Sequence, residues 1–483
     1  MISFILSLII LVLGYILYGR LVEKTFGPDD RITPAVSKAD GVDYIILPNW
    51  KIFMIQFLNI AGTGPIFGAI MGAKFGVSSY LWIVFGCIFA GATHDYLSGM
   101  LSIRNDGASL PELIGKYLGT KTKKVMLVFT TFLLVMVGAV FVYSPAEILQ
   151  SFGGHSAMWI VIIFIYYIIA TMMPIDKIIG KIYPLFAFSL LFMALALLIM
   201  LFVKMPQIPE FWDGFGNKGM ATINGWTDEI FPCLFITIAC GAISGFHATQ
   251  TPLMARCVKN EKMGRPIFYG AMITEGVVAL IWATVSAYFF YGEPTPGYQI
   301  IEAVNNGMQT SAPAVVNIIC NDWLGVVGGI LALLGVVAAP ITSGDTAFRS
   351  ARLIIAEFLG IEQKSIRKRL YICIPLFASS MVLLLWQISN PDGFNIIWQY
   401  FGWANQALSV FTLWALTVYL AQEKKPYFIT LVPALFMTTI CTMYFLVSKQ
   451  MLNLDYTLSC IISACVAGIS IIIFTNWYRK NIK

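Results

Sequence analysis

Two interrupted apolar stretches hold the residue types from which a binding site inside a membrane is built. In the first, Ala61-Gly62-Thr63-Gly64-Pro65 breaks a run long enough to cross a bilayer. Pro65 suits the first turn of a new half-helix, where its missing N–H is not needed. Gly62, Thr63 and Gly64 then present N–H groups and a positive dipole end, which suit an anion such as a substrate carboxylate. Gly64 is expected to let that substrate approach the backbone closely. Carbonyls near Asn59–Ala61, at the end of the preceding half-helix, are placed to hold a cation. In the second stretch, Cys240-Gly241-Ala242-Ile243-Ser244-Gly245-Phe246-His247 offers Ser244, Gly245 and His247 as further donors. Its two glycines four apart also fit a small-residue packing face.

Ionisable side chains inside apolar spans are rare and functional by default. Glu275 lies about nine residues beyond Pro266, roughly 13 Å along a helix, with no basic partner nearby in sequence. A carboxylate there can carry a proton, or make a structural hydrogen bond. Asp345 is followed four residues on by Arg349, the spacing of a helical ion pair. The adjacent Thr342 and Ser343 hydroxyls either ligate a small cation or bond back to their own helix. His247 reads equally as a packing residue and as a site residue. His94 and Asp95 lie towards one end of their span, where an inner gate or an anchor is the alternative to ion coupling. Trp403, Asn405 and Gln406 place an aromatic and two amides on one stretch that could line a cavity. No HExxH, GxSxG or comparable arrangement is present, so no enzyme is expected. Neither a cofactor nor a bound metal is expected; the coupling ion is H+ or Na+.

The elements that position these residues are transmembrane helices. The chain is 58% hydrophobic and 12% charged, against about 25% charged in a soluble domain. Apolar runs predict thirteen spans: 2–19, 51–73, 77–102, 122–146, 157–173, 180–203, 230–254, 267–292, 323–357, 369–388, 395–421, 426–448 and 455–477. The first has no basic residue before Arg20, so it is expected to remain as a helix rather than be cleaved. The nine cysteines lie mostly inside spans without CxxC pairing, as small packing residues do. The net charge of +6 indicates no nucleic-acid partner; its partner is the lipid bilayer.

With the N-terminus outside, all of the 31 basic residues except Lys74, Lys204, Lys218 and Lys449 fall on cytoplasmic loops or ends. This predicts an N-out, C-in protein of the inner membrane. The longest loops are 20–50, 204–229 and 293–322. Spans two and seven, which carry the breaks, are five apart and run in opposite directions. That predicts an all-α fold of two inverted five-helix repeats around a midplane site. Residues 51–229 and 230–425 form the repeats. Residues 1–50 hold a peripheral first helix with its loop, and 426–483 hold two peripheral C-terminal helices.

Over nearly its whole length the chain resembles the carbon starvation protein A family of bacterial transporters. The residues that carry the resemblance are 61–65, Gly91 through Asp95, Arg104 through Leu110, Phe235 through His247, Tyr269 through Met272 leading to Glu275, Asp345 leading to Arg349 and Arg352, and Phe401 through Gln406. The resemblance implies uptake of peptides during nutrient limitation, or of pyruvate; the leading expectation is an ion-coupled symporter of peptides, with a pyruvate, other small carboxylate or amino-acid symporter as the alternative and a membrane nutrient sensor behind them. It also implies kinship with the five-plus-five inverted-repeat (LeuT-like) superfamily, in which cation-binding hydroxyls come from the eighth core helix, here the one with Thr342 and Ser343. The chain departs from the long family members in length, and has Ile55-Gln56 where they carry a histidine pair.

Overall fold

The computed structural model describes residues 1–173, 179–215, 229–291, 312–363, 365–390 and 393–482. Among these residues every regular element is helical. Nine helices are long and apolar enough to cross a membrane. They are α1 (Ile2–Phe26), α5 (Thr120–Phe152), α7 (Lys181–Lys204), α10 (Glu261–Phe290), α11 (Gly328–Leu359), α12 (Ile366–Ser389), α13 (Ile396–Gln422), α14 (Phe428–Val447) and α15 (Tyr456–Asn481). A tenth crossing is the pair α2 (Asn49–Ala61) and α3 (Gly64–Phe75), bent by 42°. The other three expected spans fall on helical segments of different kinds. α4 is a helical run over 78–104 with a π-helical centre, Trp82–Gly91. α6, Ser156–Met172, is only 17 residues long. The last is interrupted, as α8 (Ile230–Thr237) and α9 (His247–Ala255).

The region expected as the loop 293–322 holds helix at its end, Ala312–Val326, which turns at Gly325 with φ +63° before α11 begins. The glycine there takes up a positive φ that strains other residues, and so kinks the helix. Residues 216–228 and 292–311 of the two loops expected to be external, which include Lys218, lie outside the described residues, as do Lys177, Lys364 and Lys483.

Lipid exposure sorts the helices. The apolar window of α15 is 17% buried and that of α1 is 33%, while α10, α11 and α13 are each above 80%. α7 and α12, at 33% and 39%, also face outward, more than their expected place inside the repeats suggests. α5 packs along α11, and α10 against α2 and α3. The broken spans therefore sit in the protein interior, where irregular backbone is tolerated at membrane depth.

Candidate functional site

The two breaks meet. Gly62 (φ +48°) ends α2, and Gly241 (φ +91°) turns the chain between α8 and α9. Both conformations lie in the region that favours glycine. α3 begins at Gly64, with Pro65 in its first turn as expected. The flank of Gly64 is filled by Cys240 of the other break, so that an added Cβ would collide with its Cβ and Sγ. A Cβ on Gly68 would stand 2.9 Å from the Thr237 carbonyl oxygen, and one on Gly241 2.5 Å from Ala279 Cβ. What Gly64 approaches closely in this structure is thus the partner break.

A buried chain of ionisable groups crosses this junction. Asp95 Oδ1 lies 2.8 Å from His94 Nδ1, and its Oδ2 lies 2.8 Å from His247 Nδ1. His247 Nε2 then lies 3.4 Å from Glu275 Oε2. All four side chains are fully buried. The chain links α4, α9 and α10, elements brought together by the close packing of Gly91 on the Ala242 carbonyl. His94 and Asp95 are therefore neither a surface anchor nor remote from the break. A carboxylate on Nδ1 fixes the ring and leaves Nε2 near Glu275 but not hydrogen-bonded to it. Cys240, His247 and Glu275 also offer three donor atoms within 4.8 Å of one another, compact enough to hold a metal ion.

The amides of α13 act as braces. Asn405 Oδ1 accepts from Ser244 Oγ at 3.0 Å and from the Phe246 N–H at 2.6 Å, and the Asn405 carbonyl accepts the Gly245 N–H at 3.1 Å. Gln406 Nε2 donates to the Ile243 carbonyl at 2.9 Å. These bonds satisfy backbone that a helix would otherwise satisfy itself. Trp403 is not part of this set. Its indole N–H donates to the Cys441 carbonyl and its ring stacks on Phe445 of α14; residues two apart on a helix do not share a face.

The hydroxyl pair divides in the same way. Thr342 bonds back to Ala338 and Ala339 of its own helix. Ser343 crosses to the Asn59 carbonyl at 2.9 Å and the Leu58 carbonyl at 3.2 Å, the carbonyls expected to face a cation. Asp345 does not pair with Arg349. Its Oδ2 accepts from Tyr183 Oη at 2.5 Å, while Arg349 turns to Asp43 and to carbonyls of Ala170 and Met173.

The residues that sequence reasoning missed are Gln56 and the side chain of Asn59. Gln56 and Asn59 are i, i+3 neighbours on α2, Thr63 follows just past the break, and all three are fully buried. Both amide atoms of Gln56 and of Asn59, and Thr63 Oγ1, have no hydrogen-bond partner among the described residues. Their helical spacing was the available signal.

Interrupted spans crossing in the interior, polar stripes at the crossing and a lipid-facing periphery define a multi-pass membrane transporter. Residues 1–152, 142–327 and 297–444 match the family described as Carbon starvation protein CstA, and the chain belongs to that family. It is 26% identical to the Peptide transporter CstA of Escherichia coli (strain K12), over 90% of this chain and 79% of that one. It is 29% identical to the Pyruvate/proton symporter BtsT of the same organism, over 56% of this chain and 47% of that one. A crystal structure of the Eremococcus coleocola manganese transporter shares the fold, with a TM-score of 0.57 at 12% identity, over 92% of this chain and 98% of that one.

Proposed function

We propose that the protein is a proton-coupled symporter that imports peptides or, as the alternative, pyruvate and other small carboxylates. The observation that carries proton coupling is the buried row His94–Asp95–His247, hydrogen-bonded throughout, with Glu275 3.4 Å further on at the crossing of the two breaks. A proton on Glu275 is within reach of His247 Nε2, and Asp95 stabilises the imidazolium that forms. The names of the relatives support a substrate with a carboxylate, the group that peptides and pyruvate share. In this reading the carboxylate docks at the N-terminal end of α3, near Thr63 and Gly64, and Gln56 and Asn59 supply hydrogen bonds beside it. Ser244 and Gly245 shape the opposite wall, held by Asn405 and Gln406. Residues 51–229 and 230–425 act as two inverted repeats.

The test is uptake of labelled dialanine and of pyruvate into proteoliposomes, with pH and sodium gradients imposed separately. An acid-outside gradient should drive accumulation and a sodium gradient should not. Ser343→Ala, alone or with Thr342→Ala, should leave the pH dependence intact. Accumulation driven by sodium alone, with a raised sodium requirement in Ser343→Ala, would move coupling to the Leu58 and Asn59 carbonyls.

The same reading places the chain in the inner membrane with the N-terminus outside. A C-terminal fusion to a reporter active only in the cytoplasm should be active; activity confined to an external reporter would reverse the orientation.

A further inference from the structure

Arg349 and Arg352 are fully buried towards the C-terminal end of α11. A buried guanidinium needs partners for five donors and an anion for its charge. Arg349 Nη2 donates to the carbonyls of Ala170 at 2.8 Å and Met173 at 2.7 Å. Arg352 Nη1 donates to Gln363 Oε1 at 3.0 Å. Among the described residues, the carboxylate bonded to both arginines is Asp43. Its Oδ1 lies 3.4 Å from Arg349 Nη1 and 3.2 Å from Arg352 Nη2, and its Oδ2 lies 3.4 Å from the latter. These contacts are long beside the roughly 2.7–2.9 Å of a well-formed charged pair. The Nε of each arginine has no partner among the described residues. The guanidiniums are thus built for more anion contact than Asp43 gives them.

Asp43 belongs to the loop between α1 and α2, not to a helix. That loop tip supports itself: Asp40 Oδ1 accepts the N–H groups of Val42, Asp43 and Tyr44 at 2.8, 3.0 and 2.9 Å. The Asp40 N–H donates to the Tyr44 carbonyl at 3.2 Å, closing the tip. The preformed tip leaves as one body only when its outside ties also open: Tyr44 Oη on the Asp106 carbonyl at 3.0 Å, Lys38 on Asp106 at 3.1 Å and Arg256 over the Tyr44 ring. Burial raises the Asp43 carboxyl, but the guanidiniums of Arg352, Arg349, Arg256 and Arg369 outweigh it and hold the group below the usual carboxylate range. It therefore stays an anion at neutral pH.

We propose that Arg349 and Arg352 form an anion site at the inner mouth, which Asp43 occupies as a tethered plug and which a transported carboxylate takes over when the tip leaves. One carboxylate replaces another, so the buried guanidiniums are never left without a counter-charge, the costly alternative. A free carboxylate, unlike the tethered one, can turn to meet the vacant Nε–H edges in bidentate geometry. The assignment rests on the symporter reading above for the identity of the solute.

Hydrogen exchange over residues 38–47 of the full-length protein in nanodiscs tests the site directly. Acetate and pyruvate should each speed exchange across 40–44 by about tenfold, and acetamide and pyruvamide at matched ionic strength should not. Unchanged exchange with both acids would overturn the proposal. In proteoliposomes, Asp43→Asn should lower the half-saturating pyruvate presented at the cytoplasmic face by about tenfold, and Arg352→Gln should raise it by a similar factor. A purely structural ion pair would lower the maximal rate from both faces and leave half-saturation where it was, and that result too would reject the site. If the wild-type protein carries no acid, the symporter reading fails, while the acetate exchange arm still decides the anion site.

Discussion

Glu275→Gln should abolish pH-driven accumulation while exchange of substrate down its own gradient persists. The substitution keeps the shape of the side chain and removes the proton that it carries. Glu275 is fully buried, with His247 Nε2 at 3.4 Å as its nearest ionisable partner in the chain described above. Without a titrating group the pH gradient does no work on the substrate, so accumulation should fall to the level of simple equilibration across the membrane. Asp95→Asn should give a milder form of the same loss, because His247 keeps a hydrogen-bond partner at Nδ1 but loses the charge that stabilises its protonated form. Undiminished accumulation under a pH gradient in Glu275→Gln would remove the relay from the mechanism.

The second large effect is steric. Gly64→Ala should cut uptake more than tenfold, because the new methyl group enters the space of Cys240 Cβ and Sγ. Overpacking a full interior costs about 1–3 kcal/mol, and here the displaced group belongs to the other break. Adding Cys240→Gly should restore uptake to within about threefold of wild type, since residues in contact couple by about 0.5–3 kcal/mol. Cys240→Gly alone should leave the protein folded in the membrane, as judged by size-exclusion profile. Failure of the pair to recover function would show that position 64 serves the substrate directly.

Much of this arrangement could be read from residue order, because the membrane restricts the choices. Glycine and proline inside apolar runs located both breaks, and ionisable residues at depth named His94, Asp95, His247 and Glu275. What order alone could not supply was contact. Asp95 and His247 are 152 residues apart, and nothing local to either predicts the bond between them. Thr342 and Ser343 are neighbours of similar chemistry, yet about 100° of helical rotation sends one to its own helix and the other across to Asn59. Trp403 and Asn405, two residues apart, are separated by about 200° of the same helix. The Asp345–Arg349 pairing was a sound local inference that tertiary contacts overrode, because Tyr183 and Asp43 offered each side chain a buried partner. Asp43 itself gave no signal, being one acid in a polar loop. The pair Gln56 and Asn59, three apart on α2, was open to the helical spacing rule and could have been found.

The interlocking of the two breaks has a mechanical consequence. The second broken span fills the room that a side chain would need on the first, with the Cys240 side chain at Gly64 and the Thr237 carbonyl at Gly68. Packed interiors shift between discrete arrangements rather than deforming smoothly. Neither broken span can therefore tilt without carrying the other along. Such a joint behaves as a seesaw: widening the gap above the fulcrum narrows the one below. In the proposed symporter, a joint hinged in this way keeps the two ends from opening together, which would guard the ion gradient while the cargo crosses.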